Sequence, residues 1–436
     1  MKGLGKMTSM LVLLVFIVGG LWAGGNAQSS NTLVMQVQGN SNAEAYKQIA
    51  ANYAKIHPGF VLDATAIDGV TDFNTALTAK IAANDMPDIV DLQWDTNITK
   101  YAQNGYLMAL DDLGLDSKLV NIKKKINVVN GKTYAYPTVQ SLWGVFWNQN
   151  LAKKYGVDYI PKTMPQILTA LETIRSNGLQ YPYLTPGMDL SGATTWIMAY
   201  LHQQISGLDP LFYYKICIGE KAWNGPEIRE LYDWYRRQLD YAAKDIMGVD
   251  PDEFLRRFAR EEIVYGIQGT GWIDGLRKAN PNFDFVLAPS AAVLEEKNYN
   301  VISDFNNGLI LSAKTKNQAL AKDFYKYCFE PASSEIYTTI LSGISPVKGA
   351  NPKYDHSIES NLPFMNSGNF VGFSERDWVP GIRDVLKKNT QDWMSGAVTL
   401  DVALNSLQAE HQRLLNANPN YISEYKALLQ TIGLLN

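Results

Sequence analysis

"YAYPTVQSLWGVFWN", residues 134–148, breaks the rhythm of the chain around it. It contains two strand-like runs, rich in Tyr, Val, Phe and Trp, with no helical spacing between them. Upstream, residues 32–37 alternate as a strand. Residues 41–44, Ser-Asn-Ala-Glu, fit a capping box ahead of Tyr46, Ile49, Ala50 and Tyr53 at helical spacing. His57-Pro58-Gly59 stops that helix. Residues 60–66 are strand-like, 72–83 helical and 88–92 a strand again. A β-α-β-α-β order predicts a largely parallel sheet covered by helices. The stretch at 134–148 ends that order and is placed to carry the chain into a second domain.

Downstream the pattern is helix at 164–177, with Thr163 and Gln166 as a second capping box and Gly178 as its stop. Helices at 193–206 and 226–241 follow. A strand at 263–267 then meets "GTGWIDGLRKANPNFDF" (269–285), which puts Trp272 among glycines where a strand turns into a helix. Strands fit 283–287 and 309–312, a helix fits 318–329, and the chain is mostly helical from about 383.

Lys2 and Lys6, the apolar run at 10–18 and the small residues Gly25-Asn26-Ala27 predict an export signal over residues 1–27, cleaved before Gln28. No cysteine lies near that cut, which argues against a lipid-anchored start. Removing the leader takes Lys2 and Lys6 and moves the formal charge from −4 to −6. No basic tract remains, which argues against nucleic acid or anionic lipid as the main partner. The 436-residue chain exceeds one ordinary core and predicts two domains. Cys217 and Cys328 fall in different domains on this reading, so buried free thiols are expected over a disulfide that would restrain a hinge.

Catalytic and cofactor signatures are weak. Asp274 stands where a dinucleotide fingerprint needs its third glycine, and Ile126 where a phosphate loop needs its first. His57, His202, His356 and His411 lack metal-ligand spacing, so no metal is expected. Aromatic residues are what the chain has instead. Trp94 stands beside Gln93 and Asp95, Trp143 after Gln140 and Ser141, and Trp196 after Asp189 and Thr194. A pyranose has an apolar C–H face that lies on an indole and a rim of hydroxyls that wants carboxylates and amides. Covering about 60 Å² of that face contributes about 1.5 kcal/mol, against about 8 kcal/mol for a micromolar site. One stack is too weak, and a ring enclosed from both sides is required.

Five stretches together resemble the extracellular solute-binding proteins of ABC importers, in the carbohydrate-binding group that includes maltose-binding protein. They are "KIAANDMPDIVDLQWD" (80–95), "YAQNGYLMALDDL" (101–113), "NGKTYAYPTVQSLWGVFWNQNLAKKYGV" (130–157), the stretch 269–285, and "GLILSAKTKNQALAKDFYKY" (308–327). "SGISPV" (342–347) is similar to the family's recrossing of the hinge. Residues 357–376 match no pattern of the family, and Ser290 follows Leu287-Ala288-Pro289 where Leu-Pro is frequent.

The resemblance implies an α/β, two-lobed periplasmic-binding-protein-like fold (type II), with mixed sheets flanked by helices and hinge crossings between the lobes. It divides the mature chain into an N-terminal lobe, 28–140 plus 290–342, and a C-terminal lobe, 141–289 plus 343–436. It implies a monomeric, cofactor-free binding protein, periplasmic or otherwise extracytoplasmic, that captures a sugar or oligosaccharide and delivers it to the membrane permease subunits of an ABC importer. The ligand contacts it implies are Trp272, Trp94, Asp95, Trp143 and Trp196, with Gln140 and Ser141 at the first crossing and Gln38 and Asn40 in the first strand–helix loop. A secreted carbohydrate-active enzyme, or a sugar-sensing protein serving a receptor, is the alternative.

Overall fold

The computed structural model describes residues 31–68, 70–120, 127–431 and 433–435. The expected leader, 1–27, lies outside them, as does Ile126. In the first lobe, β1 (Thr32–Gln38) lies between β2 (Val61–Ile67) and β3 (Ile89–Gln93), parallel to both. Leu33, Met35 and Val37 point one way from β1 and are fully buried, the period-2 pattern of a strand with a packed face. Helices α1 (Asn40–Ile56), α2 (Val70–Ala82) and α3 (Thr96–Gln103) connect and cover these strands. The Ser41 capping box does not form. Helix α1 starts earlier, with Gly39 at φ 95° as its N-cap and no side-chain cap. Ser41 is already inside the first turn, and the Glu44 carboxylate accepts from Gln48 Nε2 instead.

A hairpin, β4 (Val128–Val129) and β5 (Lys132–Thr133), turns at Asn130-Gly131, both in the left-handed region that such a turn demands. The following strand, β6 (Tyr136–Trp147), is one unbroken element rather than two runs. It is joined by β7 (Tyr265–Gly269), β8 (Val286–Pro289), β9 (Val301–Leu311) and the short β10 (Phe370–Val371). The sheet order is β2-β1-β3-β9-β6-β7, with β8 beside β6 and β10 beside β9. Strand β9 runs antiparallel to both β3 and β6, so the sheet is mixed.

Core membership shows what β6 and β9 do. Tyr136 and Val139 pack in the first lobe with Leu309 and Leu311. Leu142, Val145, Phe146 and Trp147 pack in the second with Val301 and Ile302. Each strand therefore leaves one core and enters the other. The two are hydrogen-bonded along the way, from Tyr136 opposite Leu309 to Trp143 opposite Ile302, with an irregular register around Pro137–Gln140. Pro137 has no N–H for the ladder, which fits that irregularity. Ile344 runs beside the first crossing, its N–H and C=O exchanging hydrogen bonds with Gln140 at 2.8 and 2.9 Å. Val347 and Ala350 still pack in the first lobe, so the third crossing falls between Ala350 and Tyr354, later than the boundary expected at 342–343.

The second lobe has a single large core that takes in the C-terminal helices Ile382–Met394, Leu400–Ala417 and Tyr421–Thr431. Helix Met164–Ser176 is capped as expected: Thr163 Oγ1 accepts from Gln166 N at 3.3 Å. Ala291 and Ala292, between β8 and β9, belong to this core. Gln203 holds that connection, donating to Asn300 O and accepting from Ala292 N at 2.9 Å. Cys217 and Cys328 are free and buried in separate cores. Burial pushes the Cys217 thiol up to about 12, so it stays protonated and unreactive.

Candidate functional site

Between the lobes runs a cleft in which two neighbouring chambers share walls, and a more open space of about 770 Å³ continues from them between Glu44 and Lys278. The larger chamber, about 690 Å³, is walled by Gln93 and Asp95 from the first lobe and by Trp272, Glu375, Arg376, Arg383 and Lys387 from the second. The smaller, about 350 Å³, is walled by Asn40, Asp68 and Asp274. Ser141, Gly271 and Asn306 line both.

Trp272 closes a 3-10 turn, Thr270–Trp272, between β7 and helix Ile273–Ala279. The indole is half-buried and meets Phe254 edge-on at 5.5 Å, an anchor that leaves part of the ring at the cleft. Trp143 sits opposite Gly269 in the β6–β7 ladder. A Cβ on Gly269 would fall 2.6 Å from the Trp143 ring, so the missing side chain lets the indole lie against the turn. Phe373 meets Trp143 at 5.9 Å, close to edge-on.

Asp95 caps α3, accepting from Asn97 N at 2.8 Å, and its carboxylate lines the larger chamber. Burial pushes its carboxyl up, and the Asn97 N–H with the nearby Arg376 and Arg383 pulls against that. Asn40 opens α1 and donates from Nδ2 to Asp68 Oδ2 at 2.8 Å. Trp272, Trp143, Ser141, Asp95 and Asn40 are thus brought together at the cleft.

Four residues named from the sequence stand elsewhere. Trp94 is 3% exposed, its ring against Phe305 and over Gly308, where a Cβ would come within 2.5 Å of it. It fills the first lobe's core and leaves the larger chamber to Asp95. Trp196 is 1% exposed in a helix buried on every side, against Tyr265 in the second lobe. Gln140 is buried, and its backbone ties the crossings together. Gln38 ends β1, paired with Ile67, and lines neither chamber.

The wall that sequence reasoning missed is charged. Glu375 Oε2 lies 3.2 Å from His202 Nε2, and its Oε1 lies 4.0 Å from Arg376 Nε and 3.9 Å from Arg383 Nη1. Burial works against its charge, but His202, Arg376 and Arg383 outweigh it and hold the carboxyl below its ordinary value. Arg376 also reaches the other lobe, donating from Nη1 to Trp94 O at 2.6 Å. Lys387 Nζ donates to Ser191 Oγ at 2.8 Å; burial, then Arg383, lowers its pKa. The residues come from 374–387, which include part of the stretch without a family pattern. Glu375 and Arg376 stand in a polar stretch of no periodicity, and the helical spacing that carries Arg383 and Lys387 does not say which surface its polar side meets, so only the fold brings them to the cleft. Carboxylates outnumber cations around the two chambers, since Asp68 and Asp274 line the smaller one and, among the described residues, no cation does. The cleft therefore disfavours an anionic guest and offers acceptors to a hydroxyl-rich one.

Two α/β lobes joined by three crossings, with a cleft between them, make this a protein of the periplasmic-binding-protein fold. A family model of bacterial extracellular solute-binding proteins matches residues 48–361, and the chain belongs to that family. The chain is similar to the melibiose/raffinose/stachyose-binding protein MelE of Bacillus subtilis (strain 168), at 24% identity over 407 residues, 89% of this chain and 90% of that one. RafE, solved in complex with raffinose, superposes with a TM-score of 0.75 at 17% identity, over 88% of this chain and 99% of its own. A sugar transporter of Bacillus licheniformis, solved in complex with stachyose, does so with 0.70 at 22% identity, over 88% and 100%. Among the described residues, no helix is long and apolar enough to cross a membrane.

Proposed function

We propose that this protein is exported, captures a neutral oligosaccharide in the cleft without chemical turnover, and delivers it to the permease of an ABC importer. The observation that carries this is the pairing of two indoles, Trp272 and Trp143, with Asp95, Asn306 and Arg383 around one chamber. Flat apolar surface meets sugar C–H faces, while carboxylate, amide and guanidinium groups meet hydroxyls. The names of the relatives support the same class: melibiose, raffinose and stachyose are what MelE is named for. The lobes act as the two jaws, residues 31–140 with 303–350 on one side and 141–302 with the C-terminal helices on the other, so that 290–302 and 343–350 change sides from the sequence expectation. A ligand touching both favours the closed arrangement by the difference in contact it makes there. Calorimetry of the mature chain with melibiose, raffinose and stachyose tests this. One ligand per chain with micromolar or tighter affinity, and no shorter sugar released on incubation, is the expected result. No heat with any of the three, or release of products, overturns it.

A further inference from the structure

Asp91 stands on β3, fully buried, behind the cleft. Three donors from three elements meet it. Tyr46 Oη of α1 and Tyr337 Oη of helix Pro331–Ile340 donate to Oδ2 at 2.7 and 2.5 Å, and Asn307 Nδ2 of β9 donates to Oδ1 at 2.7 Å. An ionised carboxylate only accepts, so it dictates which way the Asn307 amide turns. With the nitrogen of Asn307 committed to Asp91, its Oδ1 faces the other way and accepts from Asn306 Nδ2 at 2.8 Å. Asn306 is the next residue along β9 and lines both chambers of the cleft. Each amide is thereby oriented by the one behind it, and the order starts at a charge.

We infer that Asp91 is a positioning residue for ligand recognition: through Asn307 it sets the amide of Asn306 so that a carbonyl oxygen is presented where the two chambers meet, and the ligand must bring a hydrogen-bond donor, an unsubstituted hydroxyl, to that point. This rests on the reading of the cleft as a sugar site. Burial pushes the Asp91 carboxyl up to about 6, while the hydrogen bonds from Tyr337, Tyr46 and Asn307 oppose the rise. At neutral pH it is therefore mostly the acceptor-only carboxylate that the relay needs. A buried charge without a cation at hydrogen-bond distance is costly, and a fixed polarity at the cleft is what it provides here. The donors on Asp91 cannot reverse it: Tyr337 Oη itself accepts from Asn42 Nδ2 at 3.1 Å, so its own proton is directed to Asp91.

Two measurements test the relay. In the free, ¹⁵N-labelled protein, the side-chain amide of Asn306, assigned by its loss in Asn306→Leu, is expected to exchange at least about tenfold more slowly than an exposed asparagine, and to stay so at saturating raffinose. Exchange at the rate of an exposed asparagine, followed by protection on adding raffinose, would turn the nitrogen toward the ligand and overturn the relay. Free exchange with no response to raffinose overturns it as well. This test needs no binding, so failure of the sugar reading and failure of the relay are separate results. In a double-mutant cycle, Asp91→Asn is expected to weaken raffinose binding about tenfold in the wild-type background and less than about twofold in Asn306→Leu, where the relay has no output left to set. Equal losses in both backgrounds make Asp91 a general support of the fold and overturn the proposal. Should Asp91→Asn not fold, the exchange measurement on the wild type still decides.

Discussion

The two walls of the cleft are built in different ways. The first lobe's wall comes from the ends of regular β-α units: Asp95 caps the helix that follows β3, and Asn40 opens the helix that follows β1. Asp95 is held by the backbone N–H it accepts from, and Asn40 is placed by the start of its helix. The second lobe's wall is gathered from afar, with Trp272 on the turn after β7 and Glu375, Arg376, Arg383 and Lys387 from the C-terminal part of the chain. Its groups hold one another through ion pairs instead of capping anything. A cleft can thus pair a wall set by secondary structure with a wall set by tertiary packing, and the two should answer differently to change.

The largest difference is expected between two tryptophans that look alike in sequence. Trp94→Ala empties a core site and should cost about 3–5 kcal/mol of stability by denaturant unfolding. Trp272→Ala should leave the melting temperature within a few degrees and act on the ligand instead. If Trp94→Ala were as stable as wild type, the first wall would not be the rigid one.

A second contrast is in pH dependence. The Asp91 carboxyl of the first lobe is raised by burial from 3.8 to about 6, so its contribution to stability is complete below pH 3.8 and is lost as pH rises through 6. His411 of the second lobe is lowered by burial from 6.5 to about 4, so its contribution is complete above pH 6.5 and is lost as pH falls through 4. Each is worth roughly 3 kcal/mol. Moving from pH 7 to 4.5 should therefore tighten the first lobe and loosen the second. Hydrogen exchange, corrected for intrinsic rates, should show slower opening in β1 and β3 and faster opening in Leu400–Ala417. A change of the same sign in both lobes would break the contrast.

Binding effects come next. Trp272→Ala should weaken raffinose binding by at least about tenfold, or about 1.4 kcal/mol, by calorimetry. Unchanged affinity would remove the indole from the site. Smallest of all, Arg383→Ala should cost less than about threefold for this neutral sugar, since Arg383 is partly exposed and shares Glu375 with Arg376. A loss as large as that of Trp272→Ala would mean that the charged wall dominates recognition.

These differences also explain what could be read from the sequence. The alternation of β1, the helical spacing of α1 and the apolar run of β3 follow from burial on known faces, and they gave the α/β class directly. The glycines around Trp272 marked a turn, and the structure has that turn. Trp94 likewise stands where a strand gives way to a helix, yet Gly308 on β9 leaves room beneath it and draws the ring inward. That partner is more than two hundred residues away, and nothing local announces it. The first half of β9 is not legible for a related reason: Asp304, Asn306 and Asn307 interrupt its apolar pattern, and their polarity is accounted for by the Phe373 N–H whose hydrogen bond Asp304 accepts, by the cleft and by Asp91. Glu375 to Lys387 carry no periodicity that points to a site.

The pairing of β6 with β9 has a mechanical consequence. Two separate threads between the lobes would let them slide, twist and bend alike. A hydrogen-bonded ribbon flexes across its plane and resists shear within it, so it admits one easy direction of travel. The weak rung in that ribbon is at Pro137–Gln140, where the register is already irregular. Under the proposed function the jaws would swing like a leaf hinge, along a path that this ribbon sets in the backbone.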